Sequence, residues 1–498
     1  MTETPEFVAA IDLGSNSFHM LVARVTGGQL KVLDKHKEMV RLGGGLDAYG
    51  RLDADTEARA MACLERFGQR LKQLPSGVVR AVGTNTLRRM KDSDAFLQKA
   101  REALGHPVDV IGGREEARLI YIGVAHTHAD VGNGRLVVDI GGGSTELIVG
   151  QRFEPGEMDS LNMGCVNISN RFFGNGKLTE KRMHRADMQA RLEVRPVENH
   201  YRQLEWSHAV GASGTAKALA RISEANGWTT SGITLASLEK LRAALIDAGS
   251  VDKLKIDGLS EERAPVIAGG LVVMRAVFKA LEIDHMSVSD GALREGLMYD
   301  MLGRREHDDV RALTLQNFCQ RFSVDTDHAA RVRDAALAIF DQVAANWDLD
   351  PEADRPMLSW AATLHEIGLA IAHNGYHKHG AYVLDNADMP GFSRQEQQML
   401  AAIVQGHRRK LRKRYFQELP GSLKAKGMRL TVLLRLAALL HRNRSARRTL
   451  PPIDFRADDS RIRLDFPAGW LDDHPLTQAD LEREREYLGR SGIKLSYA

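Results

Sequence analysis

Residues 136–150 read Leu136-Val-Val-Asp139-Ile-Gly141-Gly142-Gly143-Ser144-Thr-Glu146-Leu-Ile-Val-Gly150. Leu136–Val138 and Leu147–Val149 are short apolar runs, which predict two buried strands. The glycines between them predict a tight hairpin whose backbone adopts positive φ. Without Cβ atoms, such a turn lets its N–H groups approach an anion. Asp139 and Glu146 flank it, and carboxylates in that position suit a hard cation such as Mg²⁺.

The same unit occurs earlier in the chain. Ala9-Ala-Ile-Asp12-Leu-Gly14-Ser15-Asn16-Ser17-Phe-His19-Met-Leu-Val22 aligns with it without a gap, placing Asp12 on Asp139, Gly14 on Gly141 and Ser17 on Ser144. One such hairpin alone is as readily a structural turn. Two copies, each opening a similar series of elements, predict a duplicated domain with one phosphate-facing turn per half.

Outward from the first copy, Gln29–Leu33 predicts a third strand. Asp53 predicts a cap for a helix carrying Met61, Leu64, Phe67 and Leu71 at helical spacing. Val78–Val82 and Val108–Ile111 predict strands on either side of a helix at 94–104, and Gly112-Gly113 opens another helix. The order β-β-β-α-β-α-β-α resembles the ribonuclease-H-like pattern of actin, hexokinase and related phosphotransferases. The second half repeats it through Met158–Leu161, a long helix at 179–204, strand His208–Val210, the loop Gly211-Ala-Ser213-Gly214-Thr215 and strand Met286–Ser289. From about Asp308 strand signals vanish, and amphipathic helices follow at 325–346, 355–372, 393–405 and 428–441. Ile453–Phe466 alternates as a hairpin does, ahead of a charged helix at 477–487. The expected architecture is α/β. It comprises two actin-like domains (1–125 and 126–305), an all-α domain (306–445) and a small C-terminal α+β domain (446–498).

The chain's 498 residues exceed what one core organises, and 43% apolar with 27% charged is a soluble globular composition. Net charge is +3, yet Arg408–Arg448 holds fourteen Lys/Arg against one Asp/Glu. That window is a solvated basic surface or a track for a polyanion. Sequence-specific nucleic-acid binding is not indicated, because no recognition-helix motif or aromatic interleaving accompanies the charge. Cys63, Cys165 and Cys319 are scattered, with no CxxC pair, as a reducing cytoplasm allows. The N-terminus lacks a signal-like apolar core. The apolar run Leu430–Leu440 contains Arg435 and is too short to span a bilayer.

Seven motifs together resemble the exopolyphosphatase / guanosine pentaphosphate phosphohydrolase family. They are Ile11–Met20, Gly83-Thr84-Asn-Thr-Leu-Arg88, Glu115-Glu116-Ala-Arg-Leu-Ile120, Val138–Glu146, Met163-Gly-Cys-Val166, Gly211–Thr215 and Ser289-Asp290-Gly291-Ala-Leu-Arg-Glu-Gly296. The unbroken Gly141–Gly143 run and Ser289-Asp290-Gly291 resemble exopolyphosphatase more, so that activity is the expectation: removal of the terminal phosphate of inorganic polyphosphate. Guanosine pentaphosphate 5′-phosphohydrolase is the alternative. A sugar or acetate kinase of the same fold lacks a matching acceptor motif here. A non-catalytic sensor is opposed by the intact set Asp139, Glu146 and Glu116.

The resemblance implies roles residue by residue. Gly14, Ser15, Asn16, Gly141, Gly142, Gly143 and Ser144 would bind phosphate, with Thr84, Arg88, Ser213 and Gly214 contributing. Asp139 and Glu146 would hold Mg²⁺, assisted by Asp12 through water, with a monovalent cation such as K⁺ as an optional second ion. Glu116 would be the base. Read without the resemblance, Arg88 is a surface arginine, Ser213 an N-cap, and Glu116 a first-turn Glu favouring the helix dipole. Arg408, Arg409, Lys410, Arg412, Lys413 and Arg414 would form the polyphosphate track. A cytoplasmic homodimer, in some members loosely held at the inner membrane face, is implied as well. Leu364-His365-Glu366 in the helical part resembles metal-dependent phosphohydrolases of the His-Asp type, in degraded form. Glu366 stands where Asp is expected, and no Asp lies in Leu436-Ala-Ala-Leu439. His328, His373, His379 and His407 are accordingly read as packed or solvated.

Overall fold

Burial on both faces makes Phe7–Leu13 (β1) the central strand of its sheet. This is a computed structural model, and it describes residues 6–26, 29–47, 49–91, 93–128, 134–305, 310–417, 419, 421–444 and 450–498. β1 pairs antiparallel with Phe18–Thr26 (β2), which pairs antiparallel with Gln29–Glu38 (β3). Helix α1 (Ala54–Leu71) follows, its Thr56 N–H donating to the Asp53 side chain at 2.7 Å as expected of an N-cap. Val79–Gly83 (β4) then lies parallel to β1 on its other side. After α2 (Asn85–Arg89) and α3 (Ser93–Leu104), Val108–Val110 (β5) lies parallel to β4. Helix α4 (Gly113–Thr127) continues through residue 125, the position expected to divide the two halves.

The second sheet repeats this strand for strand. Arg135–Ile140 (β6), Thr145–Gln151 (β7) and Glu154–Leu161 (β8) form the antiparallel meander. After α5 (Cys165–Phe173) and α6 (Glu180–Gln203), His208–Gly211 (β9) adds parallel to β6. Then come α7 (Gly214–Ala225), the short edge strand β10 (Ile233–Thr234), α8 (Leu235–Ala248), α9 (Ala264–Leu281), β11 (His285–Val288) parallel to β9, and α10 (Leu293–Arg305). The orders β3-β2-β1-β4-β5 and β8-β7-β6-β9-β11 are equivalent, as the sequence repeat predicts. By length and composition α9 could cross a membrane, but it is packed in the core against α5 and α6.

α4 and α10 cross between the two sheets. α4 packs on β7 and β8, while α10 packs on β1. Their backbones touch: a Cβ on Gly296 would lie 1.7 Å from the Leu119 carbonyl oxygen. Beside the crossing, buried Arg118 is paired with Glu115 (2.7 Å) and Asp300 (2.5 Å), and Asp300 also accepts from Arg80. These ions are matched within the low-dielectric seam, where an unmatched one would be costly.

The chain divides into two compact units, 1–309 and 310–498. The second carries α11 (Val310–Arg321), α12 (Thr326–Val343), α13 (Asp354–Leu364), α14 (Tyr376–Asn386), α15 (Arg394–Gly406) and α16 (Gly421–Leu440). Beyond them lie β12 (Asp454–Asp458), β13 (Arg461–Asp465), α17 (Pro475–Gly489) and β14 (Lys494–Tyr497). One apolar core runs from Phe318 to Leu495 and includes the fully buried Trp347. Buried Arg435 ties α16 to Glu484 of α17 at 2.8 Å and donates to the carbonyls of Gly406 and Arg409. α11 and α14 were not expected from the sequence pattern. The expected boundary at 445 lies outside the described residues.

Candidate active site

Strands β1 and β6 deliver Asp12 and Asp139 to equivalent places: Asp12 stands opposite His19 across one ladder, Asp139 opposite Glu146 across the other. Each strand pair then turns, over residues 14–17 and 141–144, and the two turns meet. A Cβ on Gly142 would sit 3.0 Å from Ser15 Cβ, and one on Gly143 would sit 2.3 Å from Asn85 Oδ1. Close approach is therefore what demands glycine here. None of Gly14, Gly141, Gly142 and Gly143 has positive φ, which corrects the expected left-handed turn.

The carbonyls of Gly141, Gly142 and Gly143 accept from Cys165 N (2.9 Å), Val166 N (3.0 Å) and Asn167 Nδ2 (3.1 Å). A trans peptide directs the next N–H opposite to its C=O. The amides of Gly142, Gly143 and Ser144 thus point away from α5. The first turn is fixed by Gly43 N to Ser15 O (2.8 Å), Arg41 N to Asn16 O (2.8 Å) and Thr86 Oγ1 to Ser15 Oγ (2.8 Å). α7 presents its N-terminus nearby, with Ser213 capping it by accepting from Ala216 N (3.0 Å). Free N–H groups at such a terminus favour an anion.

These elements line a cleft of about 300 Å³. It collects Gly14, Ser15, Asn16, Thr84, Glu116, Asp139, Gly141–Ser144, Ser213 and Gly214 of the expected set, together with Asp12. Two expected residues stand behind its wall. Glu146 is 1% exposed and accepts from Ser160 Oγ at 2.8 Å. Arg88 donates through Nη1 to Glu116 Oε2 (2.8 Å) and to the Ile111 carbonyl (2.8 Å), so its guanidinium holds that carboxylate.

The carboxylates repel one another in a dry setting. Burial, then the charges of Glu116 and Asp12, pushes Asp139 up to about 7. Asp12 is also pushed up to about 7, chiefly by burial. Glu146 is raised well above the usual range by burial and then by Glu116 and Asp139. Asp12 Oδ1 is buried with no hydrogen-bond partner. A divalent cation with oxygen preference fits such a cluster, because it would discharge the repulsion and satisfy that oxygen.

Opposite them lies a set of cations that sequence reasoning missed, Lys35, Lys37, Lys217, Arg263 and Arg294, with the His19 ring among them. Arg294 contacts His19 Nδ1 at 2.5 Å, and Ser17 Oγ meets His19 Nε2 at 2.8 Å. Burial and Arg294 lower the His19 pKa strongly, so the ring is neutral. Burial lowers Lys35 as well, with Arg294 adding to it. Lys217 pairs with Asp290 at 2.9 Å, and Lys37 with Glu262 at 2.6 Å. The available signal was the odd-numbered spacing of Lys35 and Lys37 on β3, which puts both on one face. Cleft and cations together offer the amide donors and positive charge that a multiply charged anion calls for.

The expected track residues all belong to the second unit. Arg408 lies over the Tyr376 ring at 4.5 Å and, with Arg409, lines a hollow shared by His407 and Arg442. Lys410 and Arg412 line an adjoining hollow, and Lys413 and Arg414 sit in the short turn Lys413–Phe416.

The profile of the Ppx/GppA phosphatase family matches residues 21–305, and that of Ppx/GppA phosphatase, domain III, matches residues 310–485. A guanosine-5′-triphosphate,3′-diphosphate pyrophosphatase of Aeromonas hydrophila is 41% identical over 484 residues, covering 97% of each chain. One of Pseudoalteromonas atlantica is 40% identical over 491 residues, covering 99% of this chain and 97% of its own. Among solved structures, an exopolyphosphatase from Cytophaga hutchinsonii matches with a TM-score of 0.55 at 26% identity, covering 60% of this chain and 98% of its own. The fold is accordingly the mixed α/β, actin-like fold of these neighbours. The full-length relatives overturn the expectation of an exopolyphosphatase. Its cues were weak for a physical reason. Gly141–Gly143 form a turn that any terminal phosphate could meet, and Asp290 pairs with Lys217. Neither contact separates a polymer from a nucleotide.

Proposed function

The chain belongs to the Ppx/GppA phosphatase family and is a phosphoanhydride hydrolase, and from that premise we propose that it removes the 5′-terminal phosphate of guanosine-5′-triphosphate,3′-diphosphate. The observation that carries this reading is likeness along the whole chain to relatives bearing that name. The cleft is compatible with it. The turn amides of residues 14–16 and 142–144 would hold the terminal phosphoryl oxygens, and the cations around Arg294 would hold the remaining phosphates.

Mg²⁺ would be held by Asp139 and Glu146, with Asp12 close by. Bound there, it would neutralise charge on the phosphate oxygens. Glu116 would accept a proton from the attacking water as the new O–P bond forms and the bridging O–P bond breaks. The bridging oxygen leaves with the nucleotide. Arg88 would act as a positioning residue, orienting the Glu116 carboxylate through their 2.8 Å contact. Within the second unit we read the helices as HD-like and residues 450–498 as a small α+β piece. We also place the enzyme in the cytoplasm as a homodimer, to be checked by fractionation and light scattering.

The test is orthophosphate release, with Mg²⁺, from guanosine-5′-triphosphate,3′-diphosphate and from long-chain polyphosphate side by side. One phosphate released per nucleotide, at a kcat/KM above that for polyphosphate, supports the reading. Release from polyphosphate alone would overturn it.

A further inference from the structure

Every nucleoside triphosphate ends in the same phosphoryl group, so the glycine turns alone do not tell one from another. The far rim of the cleft holds the groups to do so. Asp12 stands opposite His19 across β1 and β2, and His19 stands opposite Lys37 across β2 and β3. The three form one row across the sheet, and two strand spacings put Lys37 roughly 10 Å from Asp12. Lys35, two residues away on the same face, lines the cleft with it.

Facing them is the turn ahead of α9, which comes from the other half of the first unit. Its Glu262 pairs with Lys37 Nζ at 2.6 Å, so the pair joins the two halves at the rim. Its Arg263 reaches over the start of α7, where a Cβ on Gly214 would lie 2.0 Å from the guanidinium. Glycine at 214 is what lets Arg263 seat there. Among the described residues, Lys35 and Arg263 have no carboxylate in ion-pair range. The side chains of Lys37 and Glu262 are 33% and 59% exposed, and ion pairs so open to water are weakly held. The rim therefore offers two uncompensated cations and a third whose counter-ion is readily exchanged.

We propose that Lys35, Lys37 and Arg263 form a second phosphate site, with Glu262 as its exchangeable counter-ion, and that this site selects against ordinary nucleoside triphosphates. A diphosphate carries more than one negative charge and several acceptor oxygens, so it outcompetes a single carboxylate for three cations. With the terminal phosphate in the turns, the 5′ chain ends at the ribose, and only a group on the 3′ oxygen extends to the rim. GTP lacks that group, leaves Glu262 on Lys37 and forgoes the interaction. This role rests on guanosine-5′-triphosphate,3′-diphosphate being the substrate.

The experiment measures orthophosphate release by the full chain, with Mg²⁺, from guanosine-5′-triphosphate,3′-diphosphate and from GTP. The wild-type ratio of the two kcat/KM values is expected to be at least about 100. It should fall at least about 10-fold in K37M and in R263M, and rise about 2- to 5-fold in E262Q, whose amide no longer competes for Lys37. It should be unchanged in K31M, an exposed β3 lysine outside the cleft. E262Q should have no effect once K37M is present, a coupling that two independent structural roles would not produce. A wild-type ratio near 1, an unchanged ratio in K37M, or a lowered one in E262Q overturns the rim site. Should the wild type act on polyphosphate alone, the substrate assignment falls separately. The rim is then read from the kcat/KM ratio for long-chain polyphosphate over tripolyphosphate: a fall in K37M upholds a second phosphate site, and no change overturns it.

Discussion

Asp139→Asn without Mg²⁺ probes the repelling carboxylates most directly. Asp139 is 9% exposed, and its pKa rises from 3.8 to about 7 on folding. At about 1.4 kcal/mol per pH unit, ionising it in the folded protein costs up to about 4 kcal/mol. Below about pH 4 neither state is ionised and no cost appears. Between about 4 and 7 the unfolded chain has lost its proton while the folded carboxyl keeps it, so stability falls as pH rises. Above about 7 both are ionised and the full cost stands. Asparagine carries no such cost. In EDTA, Asp139→Asn should therefore match wild type near pH 4 and exceed it by about 2–4 kcal/mol at pH 8, measured by urea unfolding across a pH series. Taking the difference between the two proteins cancels the titrating groups that Asp139 does not touch, while Glu146, which its charge also raises, adds to the cost that asparagine relieves. Added Mg²⁺ should then stabilise wild type and leave the variant unmoved. A difference that does not change with pH, or a variant less stable than wild type at pH 8 in EDTA, would refute the argument that Asp139 is held against repulsion.

Three further outcomes are expected. Glu116→Gln should keep nucleotide binding, measured by calorimetry, and lose about 10²- to 10⁴-fold in kcat, since the proton acceptor is gone while the turns remain. Gly143→Ala should lower kcat/KM with little change in fold, because its Cβ would meet Asn85 Oδ1 at 2.3 Å and force the turn to shift; an unchanged kcat/KM sinks the close-approach account. Glu484→Ala leaves the Arg435 guanidinium buried without its carboxylate, and should destabilise the second unit by about 3–5 kcal/mol in denaturant unfolding.

The hairpin repeat was legible because strand–turn–strand units are local, and glycine and carboxylate spacing survives in the order of residues. Asp53 announced its helix for the same reason. Why the glycines are needed was not legible, since Gly143 is required by Asn85, a residue far away in sequence. Arg88 illustrates the same limit: no spacing in the sequence announces its ion pair with Glu116 on another helix. Lys35 and Lys37 became part of the cleft only once β3 was laid on β2. Substrate choice failed for a different reason. The residues read for it touch the shared phosphate end, whereas a nucleotide is told from a polymer at groups farther along.

The crossing of α4 and α10 has a consequence for motion. α4 bears Glu116 and rests on the second sheet, and α10 bears Arg294 and rests on the first. Each half thus borrows a helix from the other. At Gly296 the two are too close for even a methyl group. Such a joint resists pulling apart but can serve as an axle. Swinging the sheets about it would part or close the two glycine turns while Glu116 and Arg294 stay near the pivot. For the same reason neither half, expressed alone, would have its apolar underside covered.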